Sequence, residues 1–270
     1  MRLGALLFMT AHEIRKEFIR TFRGLCDKYT AWEVWSDWLV MASSAIYNGI
    51  HHDASVEEEY MRAVSRYSKK QASEMAKLLA LAAEALALKT HDFLGGIFHE
   101  MELHNEAKGQ FFTPYELCKM MAAMQDVKPP GHGRLLRVGE PACGSGAMVL
   151  AFHEHIVEMG GTPERIFYEM QDLDDRAFRM AYIQASLCGL SAVVKRGNTL
   201  AMEVERAWLT PCYYAYQTAS RERWDRMMRA VDGIGHAAGD EMPKADAGDL
   251  EEPMPADVQL TKPEQMEMVL

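Results

Sequence analysis

Residues 139–148 read GEPACGSGAM, where Gly139, Gly144 and Gly146 follow an apolar run, LLRV, and precede a small-residue helical stretch. Glycines at a strand-to-helix turn let backbone N–H groups and the helix N-terminus face an anionic or polar ligand. The spacing is neither GxGxxG with a nicotinamide pattern nor GxxxxGK[ST], because no lysine follows. Asp172, in YEMQDLD, ends the next apolar run. A carboxylate there can accept both hydroxyls of a ribose, or it can cap a helix, a role open equally to Asp174. Asn198, in RGNTL, ends the third run. Its amide can meet an adenine edge or serve an ordinary turn. Upstream, GQFFTP at 109–114 reads by itself as a helix entry, with Thr113 as N-cap and Pro114 at the first helical position.

Other chemistry-bearing groups read as structural. His153 and His155 lie two apart, on different faces of a helix, so HEH is no zinc motif. His51, His52 and Asp53 read as a solvated loop between helices, and no metal is expected. Cys143 has no His-Asn pattern to make it a nucleophile. Trp32, Trp35 and Trp38 could stack bases, but their helical spacing reads as core.

The elements that must position the loop follow from periodicity. Ile14, Phe18, Phe22, Leu25, Tyr29, Trp32 and Trp35 repeat at helical spacing, as do apolar residues over 56–90. No proline precedes Pro114 to break them. The pattern predicts a helical region of about four helices. The texture changes near Gly95-Gly96. GRLLRV, RIFYEM and AVVKRG then read as strands, and GSGAMVLAFHEHIVEMG and DDRAFRMAYIQASLCG as the helices between them. This alternation predicts an α/β fold with a parallel sheet. Residues 220–231 have the composition of one more helix. The chain divides as a helical domain over 1–105, an α/β domain over 106–231 and an acidic tail over 232–270 too poor in large apolar residues to bury a core.

Net charge is −10, but residues 231–270 hold ten acids and two lysines, so the body carries only −2. A near-neutral body neither excludes nor requires nucleic acid. Five dispersed cysteines without CxxC suit a reducing, cytoplasmic compartment. The short apolar start, MRLGALLF, is too short to span a membrane. It reads as a frayed segment or a mis-set start, with Met9 as the alternative first residue.

The order GQFFTP, GEPACGSGAM, QDLD, GNTL resembles the adenine-specific DNA methyltransferases, and within them the modification subunit of type I restriction systems. HDFLGGIFHEMELHNEAKGQFFTP also resembles that family's link between a helical N-terminal domain and the catalytic domain. The resemblance covers roughly residues 90–200. It implies a Rossmann-like methyltransferase core and S-adenosylmethionine as cofactor. The loop Glu140, Pro141, Cys143, Gly144 and Gly146 would hold the methionine end. Phe112, Thr113 and Pro114 would close over it, Asp172 would take the ribose, and Asn198 with Thr199 would lie near the adenine. DNA is the implied partner, with a sequence-specificity subunit or another methylase chain beside it.

The family's catalytic Asn/Asp-Pro-Pro-aromatic tetrapeptide is missing. TPCY, at 210–213, supplies a proline and a tyrosine, with Thr and Cys where Asn and the second Pro belong. By position, Thr210, Pro211 and Tyr213 are the candidates for handling a flipped base. The alternative is that these aromatics pack on the sheet edge. The readings are therefore a DNA adenine methyltransferase with a divergent or truncated active site on an incomplete parallel sheet, a cofactor- or DNA-binding subunit that works with a partner chain, or a related modification of another base.

Overall fold

The computed structural model describes residues 9–103, 112–131 and 134–218. The expected helix over 220–231, the acidic tail and the boundary at 105/106 lie outside the described residues, as do residues 1–8.

Five helices come first: α1 (Ala11–Arg23), α2 (Ala31–His51), α3 (Ala54–Val64), α4 (Lys69–Leu88) and α5 (Phe93–Glu100). Their starts are written locally. Thr10 with Glu13, Thr30 with Glu33, and Ser68 with Gln71 form reciprocal capping boxes, which satisfy N–H groups a helix start leaves open. Ile14, Phe18, Phe22, Trp35, Trp38 and Phe93 are fully buried in one cluster. Phe18 meets Trp38 edge-on at 5.4 Å and Phe93 at 5.3 Å. Trp35 and Trp38 are therefore core, as their spacing predicts. The texture change at Gly95-Gly96 falls inside α5 rather than at a boundary.

After α6 (Tyr115–Ala123) the chain alternates: β1 (Leu136–Glu140), α7 (Ala147–Glu158), β2 (Ile166–Asp172), α8 (Asp175–Leu187), β3 (Ala192–Arg196) and β4 (Arg206–Leu209). The sheet order is β1-β2-β3-β4. β1, β2 and β3 run parallel, and β4 is antiparallel to β3. The α/β prediction holds as a Rossmann-like core with a short sheet, and the purely parallel sheet is corrected at its last strand. Val138, Tyr168, Met170, Val194 and Trp208 share one face with buried residues of α7 and α8. Both helices lie on that face because both crossovers step the same way across the sheet. Phe167, Val193 and Tyr213 form a small cluster on the other face.

The helical region and the sheet are not separate cores. Met180 and Ile183 of α8 belong to the helical cluster, while Phe178, Ala181 and Tyr182 of the same helix belong to the sheet cluster. Tyr47 of α2 stacks on Trp208 of β4 at 4.4 Å. An ion-pair network adds to this seam. Arg179, 3% exposed, donates to Glu59 of α3 at 2.8 Å, to Asp175 at 2.7 Å and to the Ser43 hydroxyl at 2.9 Å. Arg206 closes on the same Glu59 at 2.5 Å.

Candidate cofactor site

The loop between β1 and α7 sits at the carboxyl ends of the parallel strands, where open α/β sheets bind ligands. Gly144 and Gly146 take φ of +54° and +96°, values that side chains rarely adopt. A Cβ at Gly144 would stand 3.0 Å from the Phe112 ring, and one at Gly146 would stand 3.0 Å from the Met170 methyl. These contacts answer why the chain gives up side chains here: backbone must pass tightly under Phe112 and over β2. Gly146 occupies the N-cap of α7, and no side chain caps that helix. Its first N–H groups therefore have no side-chain acceptor of the kind that closes α1, α2 and α4.

The strand ends meet at this loop. Gly144 donates its N–H to Asp172 Oδ2 at 2.8 Å, and Cys143 donates its N–H to the Gln171 carbonyl at 2.9 Å. Asp172 Oδ1 accepts the Asp174 N–H at 2.9 Å. The α8 cap belongs to Asp174, which accepts from Arg176 N and Ala177 N. Asp172 is thus released from the capping role and faces the loop. Burial lifts the Asp172 carboxyl above its ordinary value, against the backbone N–H groups that favour its charged form. Glu140 is raised as well, first by burial and then by the nearby Asp172 charge. Its carboxylate accepts the Ala142 N–H at 3.2 Å. The two carboxylates make this a place where a cationic or hydroxyl-bearing group is favoured.

The third strand contributes through its turn. Thr199 donates its hydroxyl to the Pro141 carbonyl at 2.7 Å, so the loops after β1 and β3 are tied directly. Asn198 Oδ1 accepts from Leu200 N at 3.0 Å and Ala201 N at 3.3 Å, the turn role, which leaves its NH2 group for any ligand. Upstream, Phe112 packs against Phe98 at 5.2 Å, and His99 Nε2 lies 3.2 Å from the Phe112 carbonyl. Thr113 and Pro114 follow, exposed. The expected Thr113 cap does not form: α6 starts at Tyr115, with Pro114 at the cap position and no side-chain cap bond. Gln110 and Phe111 lie outside the described residues.

Phe112, Glu140, Pro141, Cys143, Gly144, Gly146, Asp172, Asn198 and Thr199 are therefore gathered around one loop. Cys143 is buried and its thiol is pushed well above its ordinary value by burial, so it is packing rather than a nucleophile.

Thr210, Pro211 and Tyr213 are not brought there. β4 runs antiparallel, so its end returns to the amino ends of the other strands, opposite the glycine loop. Thr210, fully buried, donates its hydroxyl to Leu190 O at 2.6 Å and accepts Ala192 N–H at 3.0 Å, at the start of β3. Tyr213 is 2% exposed and packs on Phe167 at 5.8 Å between centroids. The expectation that these three stand beside the cofactor loop is corrected: they cover the sheet.

Sequence reading missed Asp92, Ser145 and Gln184, which form a buried polar knot under the loop. The only local signal was HDFLGG, where Asp92 precedes a helix. His153, in the rejected HEH motif, is buried with Nδ1 2.9 Å from the Tyr168 hydroxyl, and burial lowers its pKa to about 4. Among the described residues there is no group of His, Cys, Asp and Glu that could hold a metal ion, and no helix long and apolar enough to cross a membrane.

Residues 92–214 match the sequence model of the N-6 DNA methylase family. The chain is also similar to a protein from Listeria monocytogenes assigned to the class I S-adenosylmethionine-dependent methyltransferases, at 13% identity and a TM-score of 0.37. That likeness covers 67% of this chain and 51% of the other. A second similar structure is the type I restriction-modification methyltransferase subunit from Streptococcus thermophilus, at 13% identity and a TM-score of 0.34, over 67% of this chain and 57% of the other. The chain thus spans little more than half the length of either protein. No curated protein matches it. The order of the GQFFTP, GEPACGSGAM, QDLD and GNTL motifs and the family match agree: over residues 92–214 the chain is similar to the N-6 DNA methylase family.

Proposed function

We propose that the chain binds S-adenosylmethionine at the glycine loop and serves methyl transfer to DNA, of the N-6 adenine type. The observation that carries this is the Gly144–Asp172 hydrogen bond, which joins the ends of β1 and β2 into one cradle beneath Phe112. The residues fit the cofactor. The α7 N-terminus offers donors to its carboxylate, Glu140 suits its ammonium group, and Asp172 keeps lone pairs for ribose hydroxyls. When bound, the cofactor supplies an electrophilic methyl group on a sulfonium. The chain's own residues orient it. Such a transfer draws its rate mainly from positioning.

A second reading is favoured by the placement of Thr210 and Tyr213 at the far end of the strands. In it the chain is the cofactor-holding half, and the groups that receive the target amine come from another methylase chain or from a specificity subunit. Both readings suit a cytoplasmic protein whose five cysteines are free.

Titration calorimetry with S-adenosylmethionine tests the shared core of both readings. Heat with saturation is expected, and none at millimolar cofactor would overturn it. Transfer of label from methyl-labelled cofactor to DNA by the pure protein separates the two: transfer supports the first, and transfer only after a partner chain is added supports the second.

A further inference from the structure

We propose that Asp92, at the start of α5 in the helical region, is a positioning residue that holds the glycine loop in its ligand-ready shape. This rests on the cofactor reading above.

The geometry is closed and buried. Asp92 is 8% exposed, Ser145 1% and Gln184 0%. Asp92 Oδ2 accepts the Ser145 hydroxyl at 2.7 Å. Its Oδ1 accepts Gln184 Nε2 at 2.8 Å and the Gly95 N–H at 2.9 Å. Gln184 Nε2 donates also to the Ser145 carbonyl at 2.8 Å, and Gln184 Oε1 accepts the Leu94 N–H at 2.9 Å. Ser145 is therefore gripped at both its hydroxyl and its carbonyl. It is the residue between Gly144 and Gly146, which have positive φ and would otherwise be the freest pair in the loop. The approach is tight: a Cβ at Gly95 would lie 2.6 Å from Ser145 Oγ.

The consequence is directional. Ser145 is too buried to touch a ligand, so the middle residue of GSG acts through its neighbours. Its carbonyl is held by Gln184 of α8, but its hydroxyl is held from the start of α5, fifty-three residues upstream. A hydrogen bond to a buried carboxylate is stronger than a neutral one, and a glycine pair without it has many more conformations to lose on binding. The helical region thereby helps fix the shape of the site.

The test uses the full chain with Ser145→Ala, Asp92→Ala and the double variant. Amide hydrogen exchange at Gly144 and Gly146 and the S-adenosylmethionine dissociation constant are measured per folded molecule. Both amides are hydrogen-bonded in the resting loop, to Asp172 and to the Cys143 carbonyl, so their exchange reports its shape. Faster exchange at both is expected, together with an affinity loss of about tenfold in either single variant, the equivalent of one charge-assisted hydrogen bond. The double variant should bind no worse than Asp92→Ala, and Asp92→Asn, which keeps the Gly95 cap, should recover part of the loss. Unchanged loop exchange with only a lower melting temperature would overturn the proposal and reduce Asp92 to a helix cap. Should Asp92→Ala fail to fold, Ser145→Ala carries the test, since it leaves the cap intact. If the wild type binds no cofactor, the cofactor reading falls, while the exchange measurement still decides the tether.

Discussion

Gly144 donates its backbone N–H to Asp172 Oδ2 at 2.8 Å, and together with the Cys143 N–H bond to the Gln171 carbonyl it ties the loop after β1 to the end of β2. A change on either side should disturb the same site by different routes. Gly144→Val puts a Cβ 3.0 Å from Phe112 and forces a β-branched residue to φ +54°. The strain costs about 1–3 kcal/mol, and cofactor binding should be abolished in calorimetry. Asp172→Ala keeps the backbone and should weaken binding less. Equal or stronger binding by Gly144→Val would refute the loop's role.

Cofactor affinity should depend on pH through the same group. Asp172 and Glu140 both titrate above the ordinary carboxylate value because they are buried. Each must be charged to accept a ribose hydroxyl or hold an ammonium group. Affinity should therefore be full near neutrality and fall on acidification, beginning above the ordinary carboxylate value of about 4. For stability the sign is reversed. A raised carboxyl pKa means the folded state binds the proton more readily, so these two groups cost stability above their folded values and stop doing so as pH falls through them. Calorimetry of Asp172→Asn across this range should show a flatter pH profile than the wild type.

His153 should contribute acid sensitivity of the opposite sign. It is buried against Tyr168 with its pKa lowered to about 4, against an unfolded value of 6.5. The unfolded chain takes up the proton first. Stability is complete above the unfolded value and is lost as pH falls from there toward the folded value. The loss is on the order of 3 kcal/mol over that window. Denaturant unfolding of His153→Gln at several pH values should show this part of the acid dependence removed.

Tyr213→Ala should act on stability and not on the cofactor. It removes a 2% exposed ring from Phe167 and Val193, a change costing about 3 kcal/mol. The melting temperature should drop while S-adenosylmethionine affinity per folded molecule is unchanged. A drop in affinity at constant melting temperature would restore Tyr213 to the site.

Glu59→Ala should loosen the helical region from the sheet. It leaves Arg179, whose side chain is 4% exposed, without the partner that also holds Arg206. Removing one member of a buried pair costs about 3–5 kcal/mol. Urea unfolding should register that loss, and Arg206→Ala, which leaves Arg179 paired with both Glu59 and Asp175, should lose less.

Much of this was legible because it is local. A capping box needs only residues three apart, and α7 and α8 follow from 3.6-residue periodicity. The glycines of GSGAM announce a close approach of backbone whatever packs above them. The sequence alone thus determined most of the helices, the first three strands and the glycine loop between the first strand and its helix. What it could not determine were relations between distant segments. Asp172 and Asp174 are equal candidates in QDLD, and only the meeting of β1 with β2 assigns one to the loop and the other to α8. TPCYY has the same composition whether it faces a base or covers a sheet. The antiparallel pairing of β4 with β3 decided that, because reversing one strand sends its end to the opposite edge of the sheet. The Asp92–Ser145–Gln184 knot joins three segments that are far apart in the chain, so no spacing rule connects them. Hydrogen bonds and burial depend on proximity in space, and chain order encodes that proximity only within an element.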